Sequence, residues 1–79
     1  MELVRDDLPG FARPPRTPVR VVLNNSTLSI FSTDNYADVL FSVSLVDLQE
    51  NAYEKDVNCM QVANSRTSVT KTICAFANS

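Results

Sequence analysis

The sequence predicts an all-β fold, a partial barrel of five to six antiparallel strands, and three features carry that expectation. Short runs rich in Val, Leu and Ile recur along the chain, and clusters of polar, turn-forming residues separate them. Within the runs, apolar and polar residues alternate with the period of a strand that buries one face. Several such strands at near-regular spacing describe an antiparallel barrel or sandwich.

Residues 1–5 form a short apolar and charged piece suited to a first strand. They open an N-terminal arm, residues 1–18, that contains all four prolines and the only glycine and so reads as an extended or turning loop, not a helix. Residues 15–20 spell PxxPxR, a pattern that an aromatic groove can read as a polyproline helix; here it reads more simply as a linker running into a strand. Residues 19–31, VRVVLNNSTLSIF, are two apolar runs around Asn24-Asn25-Ser26, whose side chains favour a tight turn, and they predict a β-hairpin. A polar loop at 32–38 follows. In residues 39–46, Phe41, Val43 and Leu45 alternate with Ser42 and Ser44, which predicts a half-buried strand. Leu45, Leu48, Ala52 and Tyr53 fall near helical spacing, but the Ser-rich, β-branched run before them favours a strand followed by a loop over 49–56. Residues 57–63 and 69–77 are two further strands, joined by a turn over 64–68.

The chain is 79 residues long, enough for one small domain that buries only roughly 60% of its unfolded surface. With two cysteines and no histidine, it cannot build a four-ligand Cys/His zinc site or a His-dependent nucleophile, and no cofactor or catalytic role is expected. A net charge of −2 argues against nucleic acid as a partner. No apolar run approaches the roughly 18 residues that span a bilayer, and residues 1–5 do not resemble a secretory leader. A cytoplasmic location is the expectation.

The succession of a strand ending in Leu23, then Leu28-Ser29-Ile30-Phe31, then Val43-Ser44-Leu45-Val46-Asp47-Leu48, then Asn58-Cys59-Met60-Gln61-Val62 and Thr72-Ile73-Cys74-Ala75-Phe76 resembles the core of a pleckstrin homology (PH) domain. The resemblance covers residues 19–77 and places the 19–31 hairpin as second and third strands, with residues 19–79 as a core without the family's Trp-bearing closing helix. The fold would become α+β if such a helix followed. Within that superfamily, the acidic balance and Cys-containing strands are similar to the divergent PH-like proteins of the apicomplexan inner membrane complex, which implies a scaffold peripheral to a membrane. No N-terminal acylation motif stands in this sequence.

Two function classes follow from the resemblance. A protein-interaction scaffold, self-associating or binding another protein, would use an exposed strand edge or barrel end, with Leu45, Ile73 and Phe76 as core or interface residues. A module for phosphoinositide or other anionic lipid would use the loop between the first two strands, with Arg13 and Arg16 inside it and Arg5 and Arg20 beside it. Asp6 and Asp7 oppose that field, and the prolines spread the arginines, so the scaffold is the preferred reading.

Three other patterns have plain readings. Cys59 and Cys74 should face each other to within about one residue across the last hairpin, which allows a disulfide; for a cytosolic protein reduced core cysteines are expected. Asn24-Asn25-Ser26 and Asn25-Ser26-Thr27 both fit the N-x-S/T glycosylation acceptor, but Asn already has a role in a hairpin turn. The acids Asp34, Asp38, Asp47, Glu50, Glu54 and Asp56 lack the spacing of a calcium loop, and a glycosidase-type carboxylate pair would need a larger pocket than this domain offers.

Overall fold

A computed structural model describes residues 1–5, 10, 14–35 and 37–76. It is all-β: seven strands, β1 (Glu2–Val4), β2 (Arg16–Asn24), β3 (Thr27–Ser32), β4 (Val39–Ser44), β5 (Leu48–Ala52), β6 (Cys59–Asn64) and β7 (Thr70–Cys74), with no helix among the described residues. All neighbours pair antiparallel, in the order β4-β3-β2-β1-β7-β6-β5. The expected partial barrel is present, with seven strands where the sequence predicts five to six.

The strand beyond the expected count is β5. Its sequence, LQENA, shows no alternation and is exposed at four of five positions, so the hydrophobic pattern predicts a loop. It is a strand because its backbone pairs with β6, Leu48 opposite Asn64 through Ala52 opposite Met60. An edge strand needs only one hydrogen-bonded side, and polar side chains on it discourage pairing with other chains. Leu45, read as the third inward residue of the preceding strand, lies instead in the link between β4 and β5 and is exposed.

Topology explains why the sheet stays open between β4 and β5. Strand direction alternates along the sheet order, so the two end strands run in the same sense, yet only residues 45–47 join them. Same-sense neighbours need a long crossover to pair, and three residues cannot supply it. The sheet therefore coils until the end of β4 meets the start of β5 at a corner. Two backbone bonds secure that corner: Leu45 N–H donates to the Ser26 carbonyl at 2.9 Å, and Ser65 N–H donates to the Asp47 carbonyl at 2.8 Å.

The 19–31 hairpin forms as expected, with Asn24 opposite Thr27 and Asn25-Ser26 as a two-residue turn. Both turn residues have positive φ, 52° and 59°, the combination of a type I′ turn that matches the twist of the strands. Asn tolerates that region; Ser does so at a cost that Gly avoids. The last hairpin uses a different device: the side-chain carbonyl of Asn64 accepts the N–H groups of Arg66 (2.9 Å) and Thr67 (3.3 Å), and Ser68 takes φ 63°.

The coiled sheet encloses one apolar core. Leu3, Val19, Ile30, Phe41, Val43, Val62 and Ile73 are buried together, with Val21, Leu28, Leu48 and Met60 packed against them. Ile73 is thus core, as the sequence allows, whereas Phe76 is exposed and belongs to no core. On the opposite face of the β1-β7-β6 sheet lies a second, smaller cluster: Val4, Cys59 and Cys74, covered by Tyr53.

Cys59 and Cys74 are direct register partners with Cα atoms 3.9 Å apart and are joined as a disulfide. This corrects the expectation of reduced cysteines. Pairing residues 59 and 74 centres the hairpin between Arg66 and Thr67, so the two side chains project to the same face and their sulfurs meet in the small cluster.

Two predictions follow from this architecture. Replacing Ser26→Gly relieves the positive-φ cost in the type I′ turn and is expected to raise stability by about 0.5–1 kcal/mol, read as a higher midpoint in urea unfolding. Reducing the disulfide, or replacing both cysteines by Ala, removes a cross-link of sequence separation 15 and should cost about 3 kcal/mol on the chain-entropy estimate. Unfolding curves with and without reductant check this; coincident curves would refute it.

Candidate functional site

The barrel interior changes character along its axis, and strand alternation shows where. Inward positions on β2 run Val21, Val19, Thr17; on β3, Leu28, Ile30, Ser32; on β1 and its exit, Leu3, Arg5; on β7, Ile73, Lys71. Each strand passes from apolar to polar at the same end of the barrel. The result is an open cavity of about 340 Å³ lined by apolar Leu3, Val4 and the part-exposed Leu40 and by polar Arg5, Thr17, Ser32 and Lys71. Asp34 and Asp38, from the loop between β3 and β4, complete its rim.

That rim is held by local bonds. Ser32 N–H donates to the Asp38 carbonyl at 3.0 Å, Asp34 N–H donates to the Ser32 hydroxyl at 3.2 Å, and Thr33 Oγ1 donates to the Pro18 carbonyl at 3.3 Å. Two cations and two carboxylates therefore share one mouth. Such a set suits a ligand with both a charged and a neutral polar part better than a cluster of phosphates, which needs several fixed cations without opposing acids. Among the described residues, no three His, Cys, Asp or Glu side chains are grouped to hold a metal ion.

The arginines expected to act together are dispersed. Arg5 lines the mouth, and its backbone N–H bonds the Pro15 carbonyl at 2.7 Å. Arg16 leaves β2 toward the loop between β5 and β6, where its guanidinium pairs with Asp56 at 3.0 Å. Arg20 stacks over the Phe31 ring, 5.2 Å from its centroid; the two residues are register partners on the outer face of β2 and β3. Arg13 lies outside the described residues. Lys71 is the cation the sequence reading missed, because its position on β7 is read as an ordinary strand residue; only the pairing of Lys71 with buried Val62 turns it inward to the mouth.

A second surface is the free side of β4, which pairs with β3 alone. Val39 and Leu40 are exposed there, and Leu45 and Val46 continue the apolar character past its end, Val46 being 89% exposed. A shift in register between Ile30 and Phe31 places Phe31 opposite Val39 and leaves Leu40 as the extra residue of a bulge. The edge is therefore irregular at its first residues and regular from Phe41 onward. Its counterpart, β5, shows Gln49, Glu50 and Asn51.

Asp56, in the loop between β5 and β6, titrates below its ordinary value. Its carboxyl is held below the ordinary carboxylate value, first by the N–H of Asn58, which donates to Oδ1 at 2.9 Å, and then by the Arg16 guanidinium. Comparison with protein family models, curated proteins and solved structures finds no match.

Because the folded-state value of Asp56 is lowered, the stability it contributes is complete above the unfolded-state value, about pH 4, and is lost as pH falls through the lower, folded one. Carboxyl NMR titration should show Asp56 below its unperturbed position. Arg16→Gln should move it only part of the way back, since the Asn58 bond remains; a full return would assign the effect to Arg16 alone.

Proposed function

We propose that this chain is a non-catalytic, PH-like binding module that associates with protein through the free edge of β4. One observation carries the reading: β4 has an unpaired side flanked by uncovered Val39 and Leu40, in a sheet whose topology prevents β5 from closing over it. Natural edge strands are usually blunted by charge, and Lys at the edge is the common device. β5 is blunted by polar side chains and β4 is not. An extended strand from a second copy can add to β4 through main-chain bonds while Val39 and Leu40 supply apolar contact. Such a pairing between identical edges is isologous and closes as a dimer.

The cysteines bear on the compartment. The disulfide supports an oxidising environment in preference to the cytosol expected from the sequence. A scaffold role beside a membrane is compatible with either side of that membrane.

Binding of an anionic headgroup is the second reading, favoured by Arg5 and Lys71 at the mouth. It is the weaker of the two, because Asp34 and Asp38 share the cavity and Arg16 is engaged by Asp56.

Sedimentation velocity over a range of concentrations tests the proposal. The wild-type chain should pass from monomer to dimer, and the double variant Val39→Lys, Leu40→Lys should stay monomeric with an unchanged β-sheet circular dichroism spectrum. A wild-type chain that remains monomeric throughout overturns self-association. If that monomer is instead retained on phosphoinositide vesicles, and Lys71→Glu abolishes retention, the headgroup reading takes its place.

A further inference from the structure

The turn between β2 and β3 carries two overlapping N-x-S/T tripeptides, and we infer that it is an acceptor for one N-linked glycan, attached to Asn25. The tripeptide alone is common and weak. Two features of the fold give it weight here.

The first is the disulfide. Glycan transfer to asparagine occurs in the same oxidising secretory compartments in which structural disulfides form, so the Cys59–Cys74 bond supports the condition that the sequence by itself leaves unmet. The second is how asparagine is used in the molecule. Asn35 and Asn64 spend their side-chain carbonyls on local turns, accepting the N–H groups of Ala37 at 3.1 Å and Arg66 at 2.9 Å. The amides of Asn24 and Asn25 make no hydrogen bond, although both stand in or beside a turn. Their residues are exposed, as is Ser26, so a glycan can be carried there without disturbing a packed side chain.

Of the two acceptors, Asn25 is the turn residue and has Thr27 as its hydroxyl partner, with Thr27 Oγ1 3.5 Å from the Asn25 carbonyl oxygen. In the transfer, the side-chain nitrogen Nδ2 attacks the anomeric carbon of an oligosaccharide carried on a polyprenyl pyrophosphate. A C–N bond forms, the C–O bond to the pyrophosphate breaks, the pyrophosphate leaves with the electron pair, and Nδ2 gives up one proton. Ser26 accepts the backbone N–H of Leu45, so the glycan would stand beside Leu45 and Val46 and leave the Val39 and Leu40 end of the β4 edge open.

The full chain, expressed behind a secretory leader in eukaryotic cells, tests this. The secreted protein should carry a mobility shift that peptide N-glycosidase removes, with Asn25 converted to Asp in the released peptide by mass spectrometry. Ser26→Gly destroys only the Asn24 tripeptide and should leave the shift intact; Thr27→Val destroys only the Asn25 tripeptide while keeping a β-branched strand residue, and should abolish it. Secreted, disulfide-bonded protein without a shift overturns the inference. A shift that survives Thr27→Val and is lost in Ser26→Gly overturns the assignment to Asn25.

Discussion

Everything in this sheet hangs on three residues. β1 lies at the centre of the strand order, with Leu3 opposite Thr17 on one side and Ile73 on the other. Among the described residues it is the strand whose ladders join the β2-β3-β4 meander to the β5-β6-β7 meander, since β4 and β5 do not pair; the Arg16–Asp56 side-chain bond is a further tie between them. A strand of three residues supplies few ladder bonds, and its hold is reinforced by side chains on both faces. Leu3 enters the main core and Val4 enters the cluster around the disulfide. The Val19 N–H bond to the Met1 carbonyl at 2.8 Å and the Arg5 N–H bond to the Pro15 carbonyl extend the pairing by one step at each end.

The same geometry generates both candidate surfaces. Coiling the sheet around β1 brings the polar ends of β2, β3 and β7 together with Arg5, and a mouth results where each strand alone shows only an ordinary polar residue. The gap required by the odd number of strands leaves β4 without a second neighbour. A chain of this size has little apolar area in reserve, so an uncovered edge bearing Val39 and Leu40 is a cost that burial against another strand would offset.

The sequence made the local features legible and concealed those that depend on distant partners. The turn chemistry of Asn24-Asn25-Ser26 identified the hairpin, and the alternation of Phe41 and Val43 identified β4, because each signal lies within a few residues. β5 was hidden because LQENA becomes a strand only through the β6 backbone. Leu45 continues the alternation of Phe41 and Val43, yet it sits in a corner where the period no longer applies. The alignment of Cys59 with Cys74 can be read from the turn between them; whether the sulfurs are bonded cannot, since that depends on the redox state of the compartment, which leaves no mark in the chain. The dispersal of Arg5, Arg16 and Arg20 depends on Asp56 and Phe31, which are remote or opposite in register and carry no joint signature in the chain.

The position of β1 also sets an order of events. Both meanders are built from hairpins whose contacts are local in sequence, and each can form by closing short loops. The β1–β2 ladder closes over residues 5–15 and belongs with them, but the β1–β7 ladder does not: Glu2 must find Cys74, almost the whole length of the chain away. Long-range closure of this kind is slow relative to hairpin formation, and it rewards the chain only after its neighbours are in place. The two halves are thus set to assemble separately and be joined last along β1 and β7, and until that moment those two strands are edges as open as β4.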